Sequence, residues 1–123
     1  GEPEPEYAAI HDLVREANEK AEAMIRPGVR FCDIDRTARE HIEAGGYGPY
    51  FTHRLGHSIG LEDHEFGDVS SANTDTVKAG MTFSVEPGVY LPGRFGVRVE
   101  DLVLVTENGC EILNHVEKRW KTV

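Results

Sequence analysis

The chain changes character at Phe51, and that change limits what it can fold into. Before Phe51, apolar residues recur at three- and four-residue steps; after it, glycines cut the chain into short segments. Ile10, Leu13, Val14, Ala17, Ala21, Met24 and Ile25 fall on one face of a helix predicted over Glu6 to Ile25, and Pro27-Gly28 stops it. A second helix is predicted from Asp33 to Ala44, with Ile34, Ala38 and Ile42 inward. Its acidic first turn suits the helix dipole, and Gly45-Gly46 ends it. Tyr47 to Tyr50 reads as a turn. Neither helix carries an evident chemical motif, and both read as cover for a sheet.

The second half supplies that sheet. Phe66 to Ala79 is polar and patternless, a surface loop by composition. Thr82 to Tyr90 alternates in strand fashion, interrupted by Pro87-Gly88, and Pro92-Gly93 and Gly96 mark a connection. Val97 to Val105 is the clearest strand, and Asn108-Gly109 is a hairpin signal leading into a short strand, Cys110 to Leu113. Two helices followed by an antiparallel β meander give an α+β order rather than βαβ. Strand parity puts Val97, Val99, Asp101 and Val103 on one face and Arg98, Glu100, Leu102 and Leu104 on the other.

With 123 residues the chain has room for one modest core. The net charge of −9, with no Lys/Arg cluster, argues against nucleic acid or an anionic membrane as partner. There is no signal peptide and no apolar run of membrane length, which makes the expected location cytoplasmic. Cys32 and Cys110 lack metal-site spacing and read as free thiols of a reducing compartment. The start at Gly1, running into Glu2-Pro3-Glu4-Pro5, reads as a cut or processed end.

The chemistry gathers in T-H-R-L-G-H-S-I-G-L-E-D-H-E, Thr52 to Glu65, which holds His53, His57 and His64. Gly56 and Gly60 bracket His57 and let backbone come close to whatever it touches. A lone histidine reads as a hydrogen-bonded core or surface residue. Three at this spacing, followed by Glu86 and Glu100 in strand contexts, point to a metal site, and an incomplete one. One imidazole with two carboxylates suits Mn, Co, Fe or Zn. The glycines argue against a helix here, and the H-E-x-x-H of helical zinc peptidases is absent. If the strands pair through residues 91–96, Glu86 and Glu100 point into one space. Otherwise Arg98 and Glu100 make a structural pair on a solvated face.

These motifs resemble a known family. H-R-L-G-H-S-I-G-L-E-D-H-E, then S-V-E-P-G-V-Y, then G-V-R-V-E-D resemble the pita-bread (M24) metallopeptidases, most closely the Xaa-Pro branch of aminopeptidase P and prolidase. The resemblance extends over essentially the whole chain, including P-G-V…D-I-D…A-R. It implies a partial pita-bread fold, with residues 1–123 as the C-terminal portion of a catalytic domain. It further implies His57, Glu86 and Glu100 as metal ligands, with Glu100 bridging two divalent ions (Mn, Co or Zn). His53 and His64 would orient substrate and stabilise the tetrahedral intermediate, Arg98 would contact substrate or support the bridging glutamate, and Glu86 or a nearby group would handle a proton.

The family's two remaining ligands are aspartates on a hairpin ahead of the first helix. Asp12, Asp33 and Asp35 do not match them, and Ser58 stands where glycine is usual. The implied reaction is hydrolysis of the bond before a penultimate proline, on a peptide substrate. This chain alone is expected to hold at most one metal weakly, to have little activity, and to associate as a homo-oligomer through exposed sheet edges. Methionine aminopeptidase, a creatinase-like hydrolase and a non-catalytic binding module share the architecture. E-P-G-V-Y and the H-R-x-G-H spacing favour the Xaa-Pro branch.

Overall fold

The apolar periodicity of the first half becomes two helices laid on a sheet. The computed structural model describes residues 5–59 and 68–121, with side chains through residue 118. Helix α1 spans Pro5–Met24 and buries Ile10, Val14, Ala17 and Ala21, the small pair letting α2 and the sheet come close. Helix α2 spans Phe31–Ala44 and starts two residues before the acidic turn that the sequence suggests. Its cap position, Arg30, makes no side-chain cap. Instead the Phe31 and Cys32 amides donate to the carbonyls of Asp75 and Asn73, and the Phe31 ring meets Phe83 edge-on at 5.4 Å. Tertiary contacts therefore set this helix start, which a local cap signal could not reveal.

Among the described residues, a 3-10 turn at Gly48–Tyr50 is followed by six strands: β1 (Gly56–His57), β2 (Asp68–Val69), β3 (Thr82–Val85), β4 (Gly88–Leu91), β5 (Phe95–Val105) and β6 (Cys110–Lys121). β1 and β2 form a small antiparallel pair. In the larger sheet β5 is central. β3 and β4 lie end to end along one of its edges, opposite residues 101–104 and 95–98, while β6 runs along the other. All pairings are antiparallel, so the α+β reading holds, but three boundaries move.

Gly96 lies inside β5, paired with Tyr90, rather than in the connection. The turn is only Pro92–Arg94: Gly93 takes a φ of +74° and the Arg94 amide donates to the Leu91 carbonyl at 3.0 Å. β6 runs well past Leu113, because β5 offers it a continuous edge; its exposed Ile112 and Leu113 blur the alternation that marks a strand. The segment expected as a loop over 66–79 is in part structural. Val69 and Val77 are buried, Asp68–Val69 pairs with β1, and Thr76 bridges Arg30. Two isolated apolar residues leave no periodicity to read. Phe66 and Gly67 lie outside the described residues.

Strand parity decides the two faces. Val97, Val99, Asp101 and Val103 are buried on the side where α1 packs against β5. Arg98, Glu100, Leu102 and Leu104 are half-buried on the other face. Both cysteines are free thiols. No described helix is long and apolar enough to cross a membrane.

Candidate active site

Proline places the first carboxylate. Pro87 has no N–H, so β3 cannot run on into β4 as one ladder. Val85 pairs with Asp101 and Gly88 with Arg98, which leaves Glu86 and Pro87 opposite Glu100 and Val99. The Val99 amide donates to the Pro87 carbonyl at 3.2 Å, holding this interval closed. The two glutamates thus face each other across the ladder, where like charges repel. Arg98 offsets that repulsion: its guanidinium is 3.9 Å from Glu86 Oε1 and 3.5 Å from Glu100 Oε1.

A glycine places the histidine. A Cβ on Gly56 would lie 1.7 Å from the Ser84 carbonyl oxygen, so only glycine lets β1 come this near β3. The His57 amide then donates to Ser84 Oγ at 3.0 Å, and the Glu86 amide donates to the Leu55 carbonyl at 2.8 Å. These bonds set His57 Nε2 3.6 Å from Glu86 Oε2. His57 Nδ1 lies 3.3 Å from the Ser58 carbonyl. A proton on Nδ1 donates there and leaves the Nε2 lone pair facing Glu86, the arrangement common among metal-binding imidazoles.

His53 lies on the same side. A proton on its Nδ1 donates to the Arg54 carbonyl at 2.7 Å, and the Tyr90 hydroxyl donates to Nε2 at 2.9 Å. Burial pushes the Tyr90 phenol above its ordinary range, partly opposed by the Arg98 cation, so Tyr90 keeps its proton at neutral pH. Tyr90 therefore joins His53 to the Arg98 pair of carboxylates, a role the sequence reading missed. A signal was present: Thr82, Ser84 and Glu86 share a parity that two further steps carry to Tyr90. Gly88 fits the same geometry, since a Cβ there would lie 2.6 Å from the Tyr90 hydroxyl. The helices are also more than cover, because Asp35 and Arg39 of α2 bond to the loop that bears His53. His64 and Gly60 lie outside the described residues.

The structure thus brings together His57 and Glu86, joins Glu86 to Glu100 through Arg98, and joins Arg98 to His53 through Tyr90. Among the described residues, no three His, Cys, Asp or Glu side chains are grouped so as to hold a metal ion as they stand. The individual donors nevertheless suit a cation. Glu86 Oε2 is buried without a hydrogen-bond partner, and Arg98 Nε likewise. An orphaned carboxylate oxygen facing an imidazole lone pair is an acceptor pair short of a positive charge. An imidazole with carboxylates is also a donor set that hard and borderline divalent ions accept.

Known proteins resemble this chain in sequence and in fold. The model of metallopeptidase family M24 matches residues 1–107. The chain is similar to prolidase from Pyrococcus furiosus, at 42% identity and a TM-score of 0.89, over 96% of this chain and 35% of that one. It is similar to the X-Pro aminopeptidase from Thermotoga maritima, at 46% identity and a TM-score of 0.86, over 92% of this chain and 32% of that one. An uncharacterized peptidase of Staphylococcus saprophyticus is 54% identical over 118 residues, which is 96% of this chain and 34% of that protein. The chain spans about a third of the length of the relatives it matches.

Proposed function

Because this chain belongs to metallopeptidase family M24, we propose that it supplies one side of a metal-dependent site that hydrolyses the peptide bond before a penultimate proline. The observation that carries this reading is the buried, unpartnered Glu86 oxygen 3.6 Å from His57 Nε2. The likeness to a prolidase and an X-Pro aminopeptidase supports proline at the second position of the peptide.

In this reading His57, Glu86 and Glu100 hold divalent metal, with Mn, Co or Zn as candidates. Bound there, the metal supplies Lewis acidity, polarising a carbonyl and acidifying water. Glu86 or a group beside it takes up a proton from water. Arg98 holds Glu86 and Glu100 in register and meets the substrate. His53, which holds the Tyr90 hydroxyl through Nε2, orients the peptide, and His64 orients it and stabilises oxygen as it gains charge. Residues 1–123 act as the C-terminal portion of a catalytic domain, and two aspartates from a preceding hairpin complete the ligand set. Alone, the chain holds at most one metal weakly. The working location is the cytoplasm. Among the described residues β6 pairs on one side only and exposes Ile112 and Leu113, which favours homo-association through that edge.

Calorimetric titration of Mn into the chain and into His57→Ala tests the ligand set, with binding expected only in the former. For the reaction, the longer polypeptide carrying this chain should cleave Ala-Pro in preference to Met-Ala and leave creatine untouched. A preference for Met-Ala or creatine overturns the Xaa-Pro reading. Robust turnover by the 123-residue chain alone overturns the incomplete site.

A further inference from the structure

We propose that the Asp35–Arg39 ion pair of α2 is a positioning device for His53, setting both the path of its loop and the tautomer of its ring. Asp35 is fully buried, the one charged residue among the buried side chains of α2, and its charge is matched at short range. Arg39 Nε and Nη2 donate to its two oxygens at 2.9 and 3.1 Å. The pair then reaches outward. Arg39 Nη1 donates to the Phe51 carbonyl at 3.0 Å, Nη2 donates to the His53 carbonyl at 2.9 Å, and Asp35 Oδ2 accepts from the Leu55 amide at 3.1 Å.

Three alternate residues of the loop, 51, 53 and 55, are therefore fixed to one helix turn. The guanidinium also lies 4.1 Å over the Phe51 ring, and that ring meets the His53 ring at 5.1 Å and 73°. His53 is thus held by its backbone and by the ring beside it. What remains for the imidazole is the orientation in which Nδ1 faces the Arg54 carbonyl and Nε2 faces Tyr90. The Leu55 carbonyl accepts from the Glu86 amide, so the same clamp also references His53 to the carboxylate strand.

A buried ion pair is weak evidence of stabilisation, because desolvation offsets most of the attraction. The Leu55 amide is shared with the Val69 carbonyl at 3.0 Å, and the two carbonyls would be satisfied equally well by ordinary loop hydrogen bonds. The planar fork of Arg39 does what those cannot, since it reads four acceptor oxygens at fixed angles; a lysine keeps the charge and loses the fork.

Arg39→Lys is accordingly the informative variant. The readout is the ring 15N spectrum of His53 in the 123-residue chain, with His115 as an internal reference on the opposite face of the sheet. In the wild type His53 should show the single Nδ1–H tautomer. In folded Arg39→Lys it should show a mixture, with His115 unchanged. Asp35→Asn, which keeps an acceptor for the Leu55 amide, should produce a smaller shift of the same kind. An unchanged His53 spectrum in folded Arg39→Lys overturns the proposal, and so does failure of both variants to fold, which would make the pair a core strut.

The catalytic consequence rests on the peptidase reading above. In the longer polypeptide, Arg39→Lys should lower kcat by about ten- to a hundredfold with KM for Ala-Pro changed less than about twofold. A tautomer shift without loss of turnover leaves the positioning device standing and removes His53 from the chemistry.

Discussion

Glu100 and Asp101 are consecutive residues of β5, yet they stand in opposite electrostatic worlds. Glu100 is on the open face, where Arg98 lies against both it and Glu86. Asp101 is on the helix face, 2% exposed, with His115 Nδ1 on its Oδ1 and the Glu22 carboxyl beside it. Burial, and then the neighbouring Asp101, push Glu22 up to about 9, so it is protonated at neutral pH. Each face pairs two carboxylates across an interface. On the open face the Arg98 guanidinium lies against both; on the helix face the proton kept by Glu22 relieves the repulsion. The difference marks where a second cation is welcome: beside the orphaned Glu86 oxygen, and not beside a carboxyl that already keeps its proton.

The largest effect expected from breaking this contrast is at Glu86. Glu86→Gln should weaken Mn binding by about a hundredfold, while Glu22→Gln leaves it unchanged; calorimetry on both variants reads the difference. Next comes Gly56→Ala. Its Cβ would meet the Ser84 carbonyl oxygen at 1.7 Å, so β1 must move off β3 and carry His57 with it. A loss of about 3 kcal/mol is expected from overpacking of this kind, measured by urea unfolding.

Glu22→Gln has a smaller effect, and its pH dependence identifies it. Unfolded Glu22 ionises in the ordinary carboxyl range, whereas folded Glu22 keeps its proton until about pH 9. Its contribution to stability is therefore whole below the ordinary range and is lost as pH rises toward 9. Glu22→Gln should raise Tm by about 3 °C at pH 8 and leave it unchanged at pH 4. A rise of equal size at both pH values would mean that Glu22 is ionised in the folded chain. Smallest of all is Arg15→Ala. Arg15 lines the cleft of about 370 Å³ beside Glu22 and Asp101, but its ion pairs with Asp12 and Glu19 are exposed. Tm should stay within about 1 °C by differential scanning fluorimetry.

Much of this arrangement was legible in the chain, and the parts that were not share a cause. Helix periodicity located α1 and α2, and the alternation of Val97 to Val105 located β5, because both depend on residues three, four or two apart. Boundaries set by distant partners escaped. Phe31 begins α2 through Phe83, Gly96 is held in β5 by Tyr90, and β6 continues because β5 continues. In the site, His57, Glu86, Glu100 and Arg98 were singled out from motif and parity. Tyr90 was missed because its hydroxyl matters only once β4 folds back past Gly88. Asp35 and Arg39 carry no local signal, because their partners lie 12 to 20 positions away.

By itself, then, the sequence determined the α+β order, the two faces of β5 and the candidate donors, all of which follow from local stereochemistry. Only the tertiary structure decided which carboxylates lie against a guanidinium and that Glu22 keeps its proton. It also decided that Glu86 Oε2 is left without a partner, and that a helix on the far side of the His53 loop holds that loop in place. Those outcomes depend on burial and on contacts between residues far apart in the chain, and no periodicity encodes them.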